Sequence, residues 1–321
     1  MRQSLLIRPS DKYLFSDEFQ EPHRRGEILV AAVLNALLGM FESRVKTLDA
    51  GQSGLYNRKR VAEEAAKSAS HLMTIVIRAL DYCAPVHLTF EGFLSALLTS
   101  DSELVGDDTA YQYRQKLLDS FKGFGIHPKA PGNEGVPGAW PRCPDLAIDL
   151  NYSRSHFGNF QTDYEEVYRF LWENREALGI CDDVYTRVID VRPCLRMTPE
   201  GFPLKETVVQ YVQYADIEAR ELWRRFQVKR PEVDGMKMKP DTRLTMHGGG
   251  VLIFDQYGRL KYNIVNPVKG DEQSKRIEYL GQRGYFRPKE RPMMASGFSL
   301  IHRLRTLRLD SAQATSKEAW I

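Results

Sequence analysis

Residues 24–48 read RRGEILVAAVLNALLGMFESRVKTL, and this stretch decides the fold class of the first half of the chain. Ile28, Val33, Leu34, Leu37, Leu38, Phe41 and Val45 fall at steps of three, four and seven. That period puts them on one stripe of a long amphipathic helix. The segment that follows, LDAGQSGLYN, is a Gly-rich loop. A second helix is predicted from about Arg58 to Tyr82, stopped by Pro85. Thr89 caps a third helix, FEGFLSALLTS, and a fourth runs from about Thr109 to Phe124, before Gly125. Four helices with short connections make an α-helical domain over about residues 1–127.

Further along the chain the composition shifts. Residues 128–145 (PKAPGNEGVPGAWPRCPD) are dense in Pro and Gly, which predicts a linker or an extended wrap-around loop. One helix is expected at about 163–178, ending at Gly179. From Val184 the pattern turns to strands: VYTRVIDVRPCLRM, the alternating ETVVQYVQY, then GGVLIFD and RLKYNIV. Gln256-Tyr257-Gly258 separates the last two as a hairpin turn. Residues 269–308 hold ten Lys/Arg against four Asp/Glu and read as a poorly periodic basic tail. The expected architecture is α+β and multidomain. A helical domain (1–127) is followed by a Pro/Gly linker (128–162), a small, mostly antiparallel β-rich domain (163–268) and the tail (269–321).

Composition bounds the function. The 321 residues are 42% hydrophobic and 27% charged, enough for a sizeable core and about two domains. A formal charge of +3 predicts no nucleic-acid partner. The four cysteines, Cys83, Cys143, Cys181 and Cys194, form no CxxC pair, which favours a reducing compartment or buried thiols over a disulfide scaffold. The N-terminus is broken at Arg8-Pro9 and does not read as a signal peptide. No stretch is read as reaching the roughly 18 apolar residues that span a bilayer. These features make the chain a soluble, cytoplasmic protein by expectation, without a membrane partner.

Several runs resemble a known family. EPHRRGEILVAAVLNALL sets His23 at the mouth of a long apolar helix. The helices after it carry Arg78-Ala79-Leu80, a Phe-led helix from Phe90 to Leu98, an acidic loop from Asp101 to Gly106, and a closing Phe121 to Ile126. This order is similar to the C-terminal helical domain of the thermolysin-like gluzincin zinc peptidases, with their "dlyG" loop and "aFdavGv" ending. The resemblance covers about residues 1–127, and in large bacterial gluzincin-like proteins the strand-rich stretch at 185–268 looks similar too. It implies that His23 is the family's oxyanion-stabilising histidine and that Glu18, five residues earlier, orients it. A carboxylate-held imidazolium is a charge-assisted donor suited to developing negative charge. The residues alone equally allow His23 to be a surface residue beside Pro22, capping the helix with Glu21.

The zinc half of that family is absent from this sequence. HExxH puts two His ligands and a general base on one helix face, and none of the seven histidines begins one. The resemblance therefore implies no cofactor in this chain, zinc only in upstream sequence, and a partner carrying HExxH that acts on a peptide or protein substrate. The alternative is a non-catalytic binding or scaffold protein that keeps the helical shape.

Four other features carry candidate chemistry. His247-Gly248-Gly249-Gly250 matches the HGGG loop of esterases, but no GxSxG accompanies it, and close backbone packing is the simpler reading. His71 reads as an interhelical histidine. Asp101, Glu103, Asp107 and Asp108 form an acidic loop that could hold Ca²⁺ or merely cap the next helix. Arg303, Arg305 and Arg308 could meet phosphate or an acidic partner, yet lack aromatic interleaving.

Overall fold

The computed structural model describes residues 6–48, 56–133, 135–143, 150–197, 203–230, 232–233 and 236–282. Helix α1 (Pro22–Lys46) is capped by Glu21, whose carboxylate accepts from the Arg24 N–H at 2.9 Å. Its buried face is Ile28, Ala31, Ala32, Ala36 and Met40. Small alanines let a neighbouring helix come close, and Ser120 Oγ donates to the Ala32 carbonyl at 2.6 Å. The apolar stripe expected from periodicity is thus divided. Val33 and Leu37 pack at the edge of the core, while Leu34, Leu38, Phe41 and Val45 stay outside it. Counting large aliphatics missed the true core face because close helix packing favours the smallest residues.

Helix α2 (Arg58–Ala79) starts at the Asn57 cap and runs into a 3₁₀ turn at Leu80–Tyr82. Helix α3 (Phe90–Leu104) has the expected cap, Thr89 Oγ1 accepting from the Gly92 N–H at 3.1 Å. Gly92 to Asp101 are all buried, so α3 is the central helix of its layer. Helix α4 (Tyr113–Gly123) follows. The Pro/Gly segment then wraps over α3: the Ala130 N–H donates to Ser95 Oγ and the Trp140 N–H to Thr99 Oγ1. Its end, the Cys143 N–H, donates to the Lys261 carbonyl at 2.9 Å.

Helices α5 (Tyr164–Glu173) and α6 (Arg175–Leu178) break at Asn174, whose amide donates to the carbonyls of Asn151 and Phe170. Gly179 ends α6 with φ 69°, a left-handed cap. The sheet holds β1 (Tyr185–Met197), β2 (Pro203–Glu218), β5 (Arg243–Phe254) and β6 (Leu260–Asn266), in the order β1-β2-β5-β6 and antiparallel throughout. Between β2 and β5 lie α7 (Leu222–Phe226) and a two-residue ribbon, β3 (Glu232–Val233) with β4 (Met236–Lys237). The α+β class with an antiparallel sheet is as expected.

Alternation assigns each sheet face its cover. Val208, Val251, Ile253, Tyr262 and Ile264 join the core of helices α1–α4. Val209, Tyr211, Leu252 and Phe254 point the other way, to Phe160, Val167 and Phe170. Burial on both faces explains why VLIF reads as an unbroken apolar run. Helices and sheet therefore share an interior across the boundary drawn at residue 127 from composition, because a composition shift marks a change of element and not a break in the core.

The C-terminal region differs from expectation in part. Residues 271–282 form helix α8 (Asp271–Gln282), with Ile277 buried beside Phe226, Met246 and Val268. Arg303, Arg305 and Arg308 lie outside the described residues. By length and composition His23–Lys46 could cross a membrane, contrary to the sequence reading, although α1 lies here against α2 and α4.

Candidate functional site

The mouth of α1 brings together the two residues that the resemblance singled out, but does not pair them. His23 is 65% exposed, and its Nδ1 lies 2.7 Å from Glu21 Oε1. Glu18 instead forms an ion pair with Arg24, which also holds Glu27 at 2.8 Å. The carboxylate beside His23 is thus Glu21, held below its usual range by the Arg24 N–H and by His23. Glu21 serves as both helix cap and histidine partner. A run of acids at 17, 18 and 21 gives no sequence signal for which of them meets the imidazole.

Above this mouth the outer side of α1 carries Val30, Leu34, Phe41 and Val45, all half-buried, and Leu38; among the described residues none of the five belongs to a core cluster. Leu38 is 58% exposed. On α2, Met73 and Ile77 are exposed four residues apart, and Leu80 follows three later. Exposed apolar side chains grouped in this way mark a surface suited to a partner.

A chain of charges, missed in the sequence, lies buried between the helical layer and the sheet. Glu103, at the end of α3, accepts from Lys261 Nζ at 2.8 Å, the Tyr262 hydroxyl at 2.6 Å and Arg142 Nη2 at 2.6 Å. Lys261 also holds Glu206, which pairs with Arg196, and Arg196 donates to the Tyr82 hydroxyl. Burial alone would raise the Glu103 carboxyl, but Lys261, Tyr262 and Arg142 together hold it at about 2. A carboxylate ionised that firmly and engaged by three donors is a clamp and a poor general base. Its parts come from α3, the wrapped segment, β1, β2 and β6, so no local motif announces it.

The remaining acids of the same loop are also satisfied by the protein. Asp101 is buried and accepts from Arg114 Nε at 2.8 Å, with His71 Nε2 at 3.2 Å on its other oxygen. Asp108 accepts from the N–H groups of Tyr113 and Arg114, capping α4, and Asp107 accepts from the Thr109 N–H. With their carboxylates occupied in this way, the four acids do not assemble a calcium site, and His71 is the interhelical histidine expected.

The HGGG run lies in β5 as close packing. A Cβ at Gly248 would meet Val268 N at 2.5 Å, and one at Gly249 would meet the Tyr211 carbonyl at 2.5 Å. Nothing about it is an exposed oxyanion loop.

Among the described residues, one group has metal-capable spacing: Cys181, Asp182 and Asp183, with ligand atoms within 4.8 Å of one another. Lys269 Nζ is 2.9 Å from Asp183, and the Cys181 thiol donates to the same carboxylate at 2.6 Å. An ammonium already fills the place of a cation, so this group does not fit a zinc site. Nor do the thiols supply a nucleophile: burial pushes Cys83 up to about 12 and Cys194 up to about 11. Comparison with protein-family models, curated proteins and solved structures gives no match to this chain.

Proposed function

We propose that this chain is the C-terminal, metal-site-lacking part of a gluzincin-like zinc peptidase, its helices forming one wall of a substrate cleft. The observation that carries this reading is the outer face of α1. In the most apolar window of that helix only 28% of the residues are buried within the chain. A wall that meets another domain needs such a surface, and the resemblance supplies the occupant: an upstream segment or separate chain carrying HExxH. On this reading His23, held by Glu21, is a charge-assisted donor at the entrance of α1, aimed at negative charge developing on a substrate oxygen. The group that activates water belongs to the partner, and hydrolysis by this chain alone is not expected.

The test mixes the purified chain with its upstream region and zinc and follows peptide cleavage. Cleavage that needs both parts and falls with His23→Ala supports the reading. Equal cleavage by His23→Ala removes the role assigned to His23.

A second reading is a non-catalytic binding or scaffold protein that keeps the helical shape. The Glu18–Arg24 ion pair favours it, because the carboxylate expected to orient His23 is engaged elsewhere. The absence of any HExxH in frame with, or adjacent to, this chain would decide for the scaffold.

A further inference from the structure

The histidine of the HGGG run, His247, lies at a second cluster, away from the mouth of α1. Gly249 has no side chain, and the loop after the Leu80–Tyr82 turn settles against it: a Cβ there would meet Val86 Cγ2 at 3.3 Å. The close approach brings in His87, which holds φ 55°, a left-handed conformation that histidine tolerates better than most residues. Its Nε2 lies 2.9 Å from the His247 carbonyl. A carbonyl only accepts, so this nitrogen carries the proton and Nδ1 of the neutral ring is an acceptor. Gln273 Nε2 on α8 donates to the same carbonyl at 2.6 Å, which fixes α8 to the site. The two imidazole centroids are 6.4 Å apart.

Arg276 stands three residues beyond Gln273 on α8, half-buried. Among the described residues its one hydrogen bond is to Gln273 Oε1 at 3.5 Å, and it forms no ion pair. Nδ1 of His247 is buried without a hydrogen-bond partner. A half-buried guanidinium without a counter-ion is costly, and proteins ordinarily pair it. Gln273 links the three groups: its amide N–H donates to the His247 carbonyl that His87 also engages, and its amide oxygen lies 3.5 Å from Arg276. All three are half-buried, and among the described residues none of them forms an ion pair.

We infer that His87, His247 and Arg276 form a binding site for a phosphoryl group, either inorganic phosphate or a small phosphate monoester. The guanidinium supplies paired N–H donors to two phosphate oxygens, and the imidazoles accept or share the phosphate proton. Burial and the Arg276 charge both push His87 down, to about 4, while its bond to the His247 carbonyl opposes them; His247 moves down for the same first two reasons. Asp216 on β2 and Glu272 on α8 act in the opposite direction, on His247 and His87 respectively. Lys129, near the same loop, is neutralised by Glu272 at 2.9 Å. A bound phosphate anion would offset the Arg276 charge and raise both imidazoles, so binding strengthens as pH falls through the range in which they take up protons.

The test follows the histidine ring resonances of the full chain by NMR while inorganic phosphate, glycerol phosphate or acetate is titrated. Saturable shifts at His87 and His247 with either phosphate, and a rise of about one unit or more in their pKa, support the site. Stronger saturation by glycerol phosphate than by inorganic phosphate identifies a monoester as the ligand, and the reverse identifies the free ion. Arg276→Gln should weaken binding by about tenfold or more, whereas Arg276→Lys, which keeps the charge, should retain much of it. Shifts that never saturate, that persist in Arg276→Gln, or that acetate matches would overturn the proposal. The spectrum without phosphate reports separately whether each variant has folded.

Discussion

Glu103 at the C-terminal end of α3 and Lys261 in β6 lie 2.8 Å apart, joining the helical layer to the sheet with side chains 6% and 19% exposed. Removing one partner of a buried pair strands the charge of the other, which costs more than the pair itself contributes. Glu103→Gln should therefore lower unfolding free energy by about 3 kcal/mol, the low end for breaking a buried pair, because Lys261 keeps Glu206 while Arg142 and Tyr262 lose their carboxylate. The double variant Glu103→Gln with Lys261→Met should lose less than the sum of the single losses. Urea unfolding of the four proteins checks this, and strictly additive losses would mean that the pair is not coupled.

The same carboxylate sets an acid limit. Glu103 is held at about 2 in the folded chain against 4.5 when free. Its folded pKa is depressed, so its contribution is fully present above about 4.5 and is lost as pH falls toward 2. That window is worth about 3 kcal/mol, from 1.36 kcal/mol per unit. Unfolding free energy measured from pH 6 to pH 2.5 should fall steeply in the wild type and more shallowly in Glu103→Gln. Parallel curves for the two proteins would contradict the assignment.

Two glycines should respond oppositely to alanine. At Gly249 the added carbon meets backbone atoms, the Tyr211 carbonyl at 2.5 Å and Val212 Cα at 3.1 Å, and neither can move without disturbing β2. Gly249→Ala should destabilise by about 1–3 kcal/mol, the usual cost of overpacking. At Gly26, inside α1, nothing lies within 4 Å. Gly26→Ala should stabilise by about 0.5–1 kcal/mol through the lower entropy of the unfolded chain. Thermal melts of both variants test the contrast, and equal effects would refute it.

These positions also mark what the sequence could reveal. The helix cap at Thr89, the Gly179 terminus and the strand runs were legible because each depends on residues close in the chain. The Glu103–Lys261–Glu206–Arg196 array was not, since Lys261 lies 158 positions from Glu103 and 55 from Glu206. Glu103 did stand out, but as one of four loop acids; nothing in DSELVGDD marks it as the one turned inward. The pairing of His23 with Glu21 was open for a related reason. Three nearby acids compete for one imidazole and one guanidinium, and only three-dimensional geometry chooses between them.

The outer face of α1 provides the sharpest check on the proposed wall. Leu38 is 58% exposed and, among the described residues, belongs to no core cluster, so Leu38→Glu disturbs little packing. Its unfolding free energy should stay within about 0.5 kcal/mol of the wild type, the usual range for surface changes. If the upstream part docks on this face, the charge must be desolvated there, and association should weaken about tenfold or more. Calorimetric titration of the upstream region into wild-type and Leu38→Glu chains reads both quantities when paired with a melt. Unchanged affinity would place the contact elsewhere and leave the apolar face of α1 without this explanation. A large loss of stability would mean instead that Leu38 belongs to the interior.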